Sequence, residues 1–256
     1  MRLDPAAATA GVRLAAYDEI GSTNAEALRC AREGDRGPLW IVAKRQKAGR
    51  GRHGRSWVSA PGNLYATLLL NDPGPPSRAP ELAFVAAIAT YDAVAELAPA
   101  VHPQLKLKWP NDLLCDGAKL GGILIEGEGT AVAIGIGVNC RHHPADTMYP
   151  ATDLAACGAT VPPADLMAAL SKAMMQRLEQ WQGGSGFTAI RQAWLARAQE
   201  PGSAIRVRIG ERELSGGYEG IDESGRLLLR SAAGALETIS AGDVLTPSPQ
   251  TAAAVT

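Results

Sequence analysis

Apolar positions along this chain recur in helical and in strand rhythms, and the places where the rhythm changes divide it into elements. Residues 1–16 are alanine-rich and short, and read as a strand or an arm leading into the first polar motif. Thr23-Asn24-Ala25-Glu26 has the spacing of a capping box, and Ala27, Leu28 and Ala31 continue at helical spacing to a stop at Gly34. That predicts a helix over 23–33, with Gly21-Ser22 in the turn before it. Residues 39–44 and 63–70 read as buried strands, and 80–98 as a long apolar helix that Pro80 can start. Residues 104–109 set Leu105, Leu107 and Trp109 against Lys106 and Lys108, the period of a half-buried strand with the lysines on its solvated face.

Beyond the turn Trp109-Pro110-Asn111-Asp112, the runs 113–115 and 120–126 flank Asp116-Gly117 as a hairpin, and 130–138 continues it as a meander. Such antiparallel structure argues against a doubly wound nucleotide fold. Residues 163–182 and 187–199 are helical in pattern, separated by Gly183-Gly184-Ser185-Gly186. The rhythm then shifts to the short β runs 204–209, 213–221, 227–230 and 236–239, each bounded by glycine. These predict a small barrel and a domain boundary near Glu200.

Composition narrows the function classes. With 256 residues, 46% hydrophobic and 20% charged, the chain can bury a substantial core, and its formal net charge of −1 gives no general preference for nucleic acid. The cysteines Cys30, Cys115, Cys140 and Cys157 are widely spaced, with no C-x-x-C pair, which fits a reducing cytoplasm. Met1-Arg2-Leu3-Asp4-Pro5 carries no apolar core before an acidic residue and a proline, so it does not read as a leader, and no run approaches the ~18 apolar residues of a membrane span.

The chemistry concentrates in Gly49-Arg50-Gly51-Arg52-His53-Gly54-Arg55, between the first two buried strands. Glycine lets backbone N–H groups approach a ligand, and guanidinium forks match carboxylate and phosphate oxygens in pairs. Three like charges so close repel one another, which predicts a segment that stays mobile until an anion arrives. Alone, the segment leaves open a phosphate-bearing small molecule and a non-specific RNA arm.

Four segments occur in series: Gly21-Ser22-Thr23-Asn24; Gln46 through Trp57 with the arginine loop between; Lys108-Trp109-Pro110-Asn111-Asp112 with Lys119-Leu120-Gly121-Gly122-Ile123-Leu124-Ile125-Glu126; and Gly135-Ile136-Gly137-Val138-Asn139. Together with the tail Ser240-Ala241-Gly242-Asp243-Val244, they resemble the biotin protein ligases. The resemblance implies an α+β fold: a class II aminoacyl-tRNA-synthetase-like, mixed, largely antiparallel sheet flanked by helices, over residues 1–199, an SH3-like barrel over 200–247, and a flexible tail at 248–256. It implies two steps. Biotin and Mg-ATP give biotinyl-5′-AMP and pyrophosphate, and a lysine of the biotin carboxyl carrier protein of acetyl-CoA carboxylase then attacks the mixed anhydride.

The site residues follow from the same resemblance. Arg50, Arg52 and Arg55 would offset the repulsion between carboxylate and triphosphate and, on closing, shield the anhydride from water. Ser22, Thr23, Asn24 and Gln46 would line the uncharged ureido end of biotin, with Ser22 as ligand and Thr23 equally well the helix cap; Arg50, Gly51 and Arg52 would border it. Lys119 would meet the biotin carboxylate and α-phosphate. Asp112 is the carboxylate offered for Mg²⁺ or for the incoming amine, against plain turn capping. Trp57 would pack on adenine and Asn139 would pair with its edge, while Gly121, Gly122, Gly135 and Gly137 would floor the pocket.

Two departures from the family pattern stand out. Lys44 and Lys47 make the strand and loop more basic than expected, and too few residues precede Gly21 for a winged-helix DNA-binding domain, which predicts a ligase that does not act on DNA. His142-His143 reads as a loop rather than a metal site. Rival readings are a lipoate or octanoate ligase of the same fold, an RNA-binding module, and a biotin sensor without ligase activity. The barrel's mixed signs weigh against RNA, and the full set of cations weighs against the sensor. A homodimer through strands beside the pocket is left open.

Overall fold

A computed structural model describes residues 1–145, 147 and 149–245. The chain opens with the short helix α1 (Pro5–Thr9), where the sequence reads as a strand or arm. The Asp4 carboxylate accepts from Ala6 N at 2.9 Å, and Pro5 fills the first helical position, so cap chemistry overrides the run's shortness. Strand β1 (Arg13–Ile20) follows, then α2 (Thr23–Arg32), β2 (Leu39–Gln46) and β3 (Leu64–Asn71). The second half of the sheet comes from β4 (Leu105–Lys108), β5 (Asp112–Cys115), β6 (Ala118–Glu128) and β7 (Ala131–Val138).

These seven strands lie in the order β1-β2-β3-β7-β6-β5-β4. Only β1 and β2 pair in parallel, with α2 as their crossover; the other neighbours are antiparallel. Trp40 and Val42 of β2 face the main core, whereas Leu39 and Ile41 face α2 through Ala27, which is why this strand reads as an unbroken apolar run.

The long apolar helix is α3 (Leu82–Leu97), and its residues are apolar on nearly every side because it lies between the sheet and the helices α4 (Pro163–Trp181) and α5 (Phe187–Leu195). Pro80 does not start it. A 3₁₀ segment, Pro76–Glu81, comes first, and the buried Glu81 accepts from Trp181 Nε1 at 2.7 Å. The pattern read as helix to residue 199 stops at Leu195, after which the chain turns and Ala198 bridges to Leu107 beside β4.

The second sheet, β8 (Ala204–Ile209), β9 (Arg212–Ile221), β10 (Leu227–Arg230), β11 (Leu236–Ile239) and β12 (Asp243–Leu245), is antiparallel throughout, in the order β11-β10-β9-β8-β12. Residues 246–256, including the tail at 248–256, lie outside the described residues. Gly225 abuts the larger domain so closely that a β-carbon there would lie 2.7 Å from the Phe84 ring. Trp109 Nε1 donates to Gly225 O at 3.0 Å, and Arg191 donates to Ile221 O at 2.6 Å. This docking sets β12 beside the β4–β5 end of the large sheet, where the site lies.

Candidate active site

A cavity of about 390 Å³ opens over the β3-β7-β6-β5 face, lined by the first turn of α2, the end of β2, the arginine loop, Lys119 and the start of β12. Its floor is Gly122, Gly135 and Gly137, without the expected Gly121, and at the last two a side chain would collide with the group above it. A β-carbon at Gly135 would lie 2.3 Å from Asn24 Oδ1, and one at Gly137 would lie 2.6 Å from the Trp57 indole.

One end is a network of hydroxyl and amide groups. Gln46 Oε1 accepts from Thr23 N at 2.8 Å and from Thr23 Oγ1 at 3.0 Å, and Gln46 Nε2 donates to Ser59 Oγ at 3.0 Å. Thr67 Oγ1 donates to Asn24 Oδ1 at 2.6 Å and stands 2.8 Å from Thr23 Oγ1. Asn24 Nδ2 in turn donates to Glu126 Oε2 at 2.8 Å. Each group fixes its neighbour's orientation, so this end presents hydroxyl and amide groups in set positions, with the Glu126 charge behind Asn24 offset by Arg50.

The other end is cationic. Arg50 Nη2 lies 3.0 Å from Glu126 Oε1; Arg55 Nη2 donates to Asp243 Oδ1 at 2.8 Å. Arg52 donates to Asn111 Oδ1 at 3.2 Å and to Gly242 O at 3.0 Å, and stands 3.6 Å from Asp243. Burial pulls the Arg52 guanidinium below its ordinary pKa, opposed by Asp243 and Asp112, and it stays protonated. The loop expected to move until an anion arrives thus has protein carboxylates as its anions, with a 3₁₀ turn at Arg52–Gly54 and His53 at φ 54°.

Between the two ends, Lys119 Nζ lies 2.6 Å from Asp112 Oδ1 and 5.5 Å above the Trp57 ring. Lys108 Nζ takes the other oxygen of Asp112 at 3.3 Å. Burial raises the Asp112 carboxyl pKa, but the two lysines together outweigh it and hold the group below the usual carboxylate range.

The profile of the biotin/lipoate A/B protein ligase family matches residues 22–141, and that of the biotin protein ligase C-terminal domain matches 202–245. The chain is 43% identical over 227 residues to the biotin–[acetyl-CoA-carboxylase] ligase of Paracoccus denitrificans, covering 83% of this chain and 92% of that protein. It belongs to the biotin protein ligase family. The corresponding ligase of Mycobacterium tuberculosis is 34% identical over 232 residues, covering 89% of this chain and 86% of the other. The fold matches the biotin protein ligase from Aquifex aeolicus in complex with biotin and ATP with a TM-score of 0.78 at 26% identity, over 91% of this chain and 97% of that one.

Against this family background, the structure revises several sequence expectations. Ser22, not Thr23, caps α2: its Oγ accepts from Ala25 N at 3.4 Å, while Thr23 turns its hydroxyl into the pocket network. Asn139 donates its amide to Thr152 O at 2.9 Å, so its nitrogen is engaged in holding a loop although the residue lines the cavity. Trp57 lies on the glycine floor, with Nε1 buried and unpartnered. Lys108, read as solvated, is 5% exposed because β4 ends where the small domain covers it. His143 Nδ1 meets Asp153 at 2.6 Å, and Lys44 and Lys47 pair with Asp18 and Glu19 at 2.7 Å each, so the extra basic charge is offset locally.

The carboxylates near the pocket do not suit a protein-built Mg²⁺ site. Asp112 lies between two lysines and Asp243 between two arginines, and among the described residues no group of three His, Cys, Asp or Glu is gathered. Five residues at the site escaped the sequence reading of roles: Asn111 and Asp243, which line the cavity, and Thr67, Ser59 and Glu126, which hold lining residues from behind. Asn111, Glu126 and Asp243 stand inside quoted motifs, but Thr67 and Ser59 give no signal until the fold sets them against Asn24 and Gln46.

Proposed function

We infer that this chain joins biotin to ATP and passes the biotinyl group to a lysine of a biotin carboxyl carrier protein of acetyl-CoA carboxylase. In the first step a biotin carboxylate oxygen bonds to the α-phosphorus and pyrophosphate leaves. In the second, the acceptor amine bonds to the acyl carbon, AMP leaves, and the amine gives up its proton. The observation that carries the reading is the cavity's polarity: a neutral hydroxyl–amide end at Ser22, Thr23, Asn24 and Gln46, and a cationic end at Arg50, Arg52, Arg55 and Lys119. A ureido ring needs donors and acceptors, and a carboxylate beside phosphates needs positive charge.

With Asp112 and Asp243 already paired, Mg²⁺ would come bound to ATP. Lipoate activation is the second reading, because the family profile spans both substrates, but the biotin ligase C-terminal profile at 202–245 favours biotin. RNA binding has less support: in the small domain Arg206, Arg226 and Arg230 pair with Glu213, Asp222 and Glu219. We read the enzyme as cytoplasmic and not acting on DNA; no described helix is long and apolar enough to cross a membrane. A homodimer would appear as a doubled mass in sedimentation.

The direct test incubates the protein with ATP, Mg²⁺, a carrier domain and either biotin or lipoate, then measures pyrophosphate and the carrier's mass. The expected result is biotin-dependent pyrophosphate and one biotinyl addition on one lysine. Pyrophosphate only with lipoate, or with neither acid, overturns the reading.

A further inference from the structure

Lys108 is a buried cation that the proposed chemistry does not use directly. Its side chain is 5% exposed, against 28% for Lys119, and it is held by Val244 O at 3.4 Å and under the Tyr149 ring at 4.9 Å. From there it reaches Asp112 Oδ2 at 3.3 Å, while Lys119 holds Oδ1 at 2.6 Å. Each lysine therefore has its own carboxylate oxygen; both line the cavity, and Lys119 is the more exposed.

Two ammonium groups against one carboxylate leave the trio with one net positive charge. Without Lys108, Lys119 and Asp112 would form a closed, neutral pair, and a substrate anion drawing on Lys119 would have to compete with Asp112 for it. That competition would be severe, because a buried carboxylate whose partner is drawn away is left poorly compensated where water cannot solvate it. With Lys108 in place, Oδ2 stays paired whatever Lys119 does. Resting on the ligase reading above, we propose that Lys108 is a positioning residue that keeps Asp112 compensated and so releases Lys119 to the biotin carboxylate and the adenylate phosphate.

The test measures biotin-dependent pyrophosphate release without carrier, so that any part Asp112 plays toward the acceptor amine does not enter. Lys108→Met should lower the adenylation rate per biotin concentration about tenfold or more, with a raised KM for biotin, while Lys108→Arg should stay within a few-fold of the starting protein. The deciding variant is Lys108→Met combined with Asp112→Asn. Removing the carboxylate removes the need for compensation, so the double variant should recover most of the loss seen in Lys108→Met alone. A Lys108 that acted only through stability would lower the folded fraction and leave the KM for biotin unchanged. Lys108→Met with unaltered kinetics, or a double variant no better than the single one, overturns the proposal; should Lys108→Met not fold, a double variant that folds but adenylates far more slowly than the unsubstituted protein overturns it. Absence of biotin-dependent pyrophosphate from the unsubstituted protein would instead overturn the ligase reading itself.

Discussion

Gly137→Ala isolates the contact between the pocket floor and the arginine loop. Gly137 lies on β7, a strand paired on both sides, with β3 through Tyr65 and with β6 through Gly122, so its backbone cannot yield. Its φ is not positive, so alanine brings no backbone strain there. The added methyl carbon would stand 2.6, 2.7 and 2.8 Å from three atoms of the Trp57 indole. Ordinary carbon contacts lie near ~3.5–4.0 Å, so the ring must retreat by about 1 Å or leave the floor. Overpacking of this kind costs about 1–3 kcal/mol. Because the cost falls on Trp57, which anchors the C-terminal end of the loop, it should appear as weaker closure. The same energy corresponds to about 5- to 150-fold faster loss of bound biotinyl-AMP. The assay forms the adenylate from labelled biotin, adds excess unlabelled biotinyl-AMP and follows release, with thermal unfolding run in parallel. Release at the unsubstituted rate, or a midpoint lowered so far that the whole domain has loosened, would refute this account of the floor.

Two further perturbations address other parts of the pocket. Thr23→Val removes a hydroxyl that donates to Gln46 Oε1 at 3.0 Å while keeping the side-chain shape, and should raise the KM for biotin about tenfold with less effect on KM for ATP; equal effects on both would count against a biotin end here. Asp112 has a folded pKa below its unfolded value of ~3.9, so the stability it contributes is fully present above about pH 4 and is lost as pH falls through the folded value. Asp112→Asn should therefore lower Tm at pH 7, and the gap between the two proteins should narrow in acid; a gap that widened on acidification would contradict the ion-paired description.

Local patterns carried most of the elements. The strand and helix cores of the large domain fall where apolar spacing puts them, because period and capping are written in adjacent residues. The misassigned stretches are those where a cap or a neighbour decides. Asp4-Pro5 starts a helix too short for periodicity to register, and the run before Leu82 becomes a 3₁₀ segment, with Glu81 accepting from the distant Trp181. In the site, the arginine loop, Lys119 and the glycine floor were legible as motifs because their chemistry needs unusual residues close together in sequence.

What the sequence determined by itself was the inventory: most of the strands and helices, that a loop of three arginines follows β2, and that the serial motifs are those of a biotin ligase. The tertiary structure alone decided which charges meet. Asp243 lies 188 residues from Arg55 and yet pairs with it, and Glu126 lies 76 residues from Arg50. Lys108 and Lys106 are equivalent by strand alternation, but only Lys108 is covered by the small domain and bound to Asp112. Periodicity records which face of its own element a residue occupies. What covers that face, and so whether a lysine is solvated or held in a buried charge cluster, depends on elements brought there by the fold.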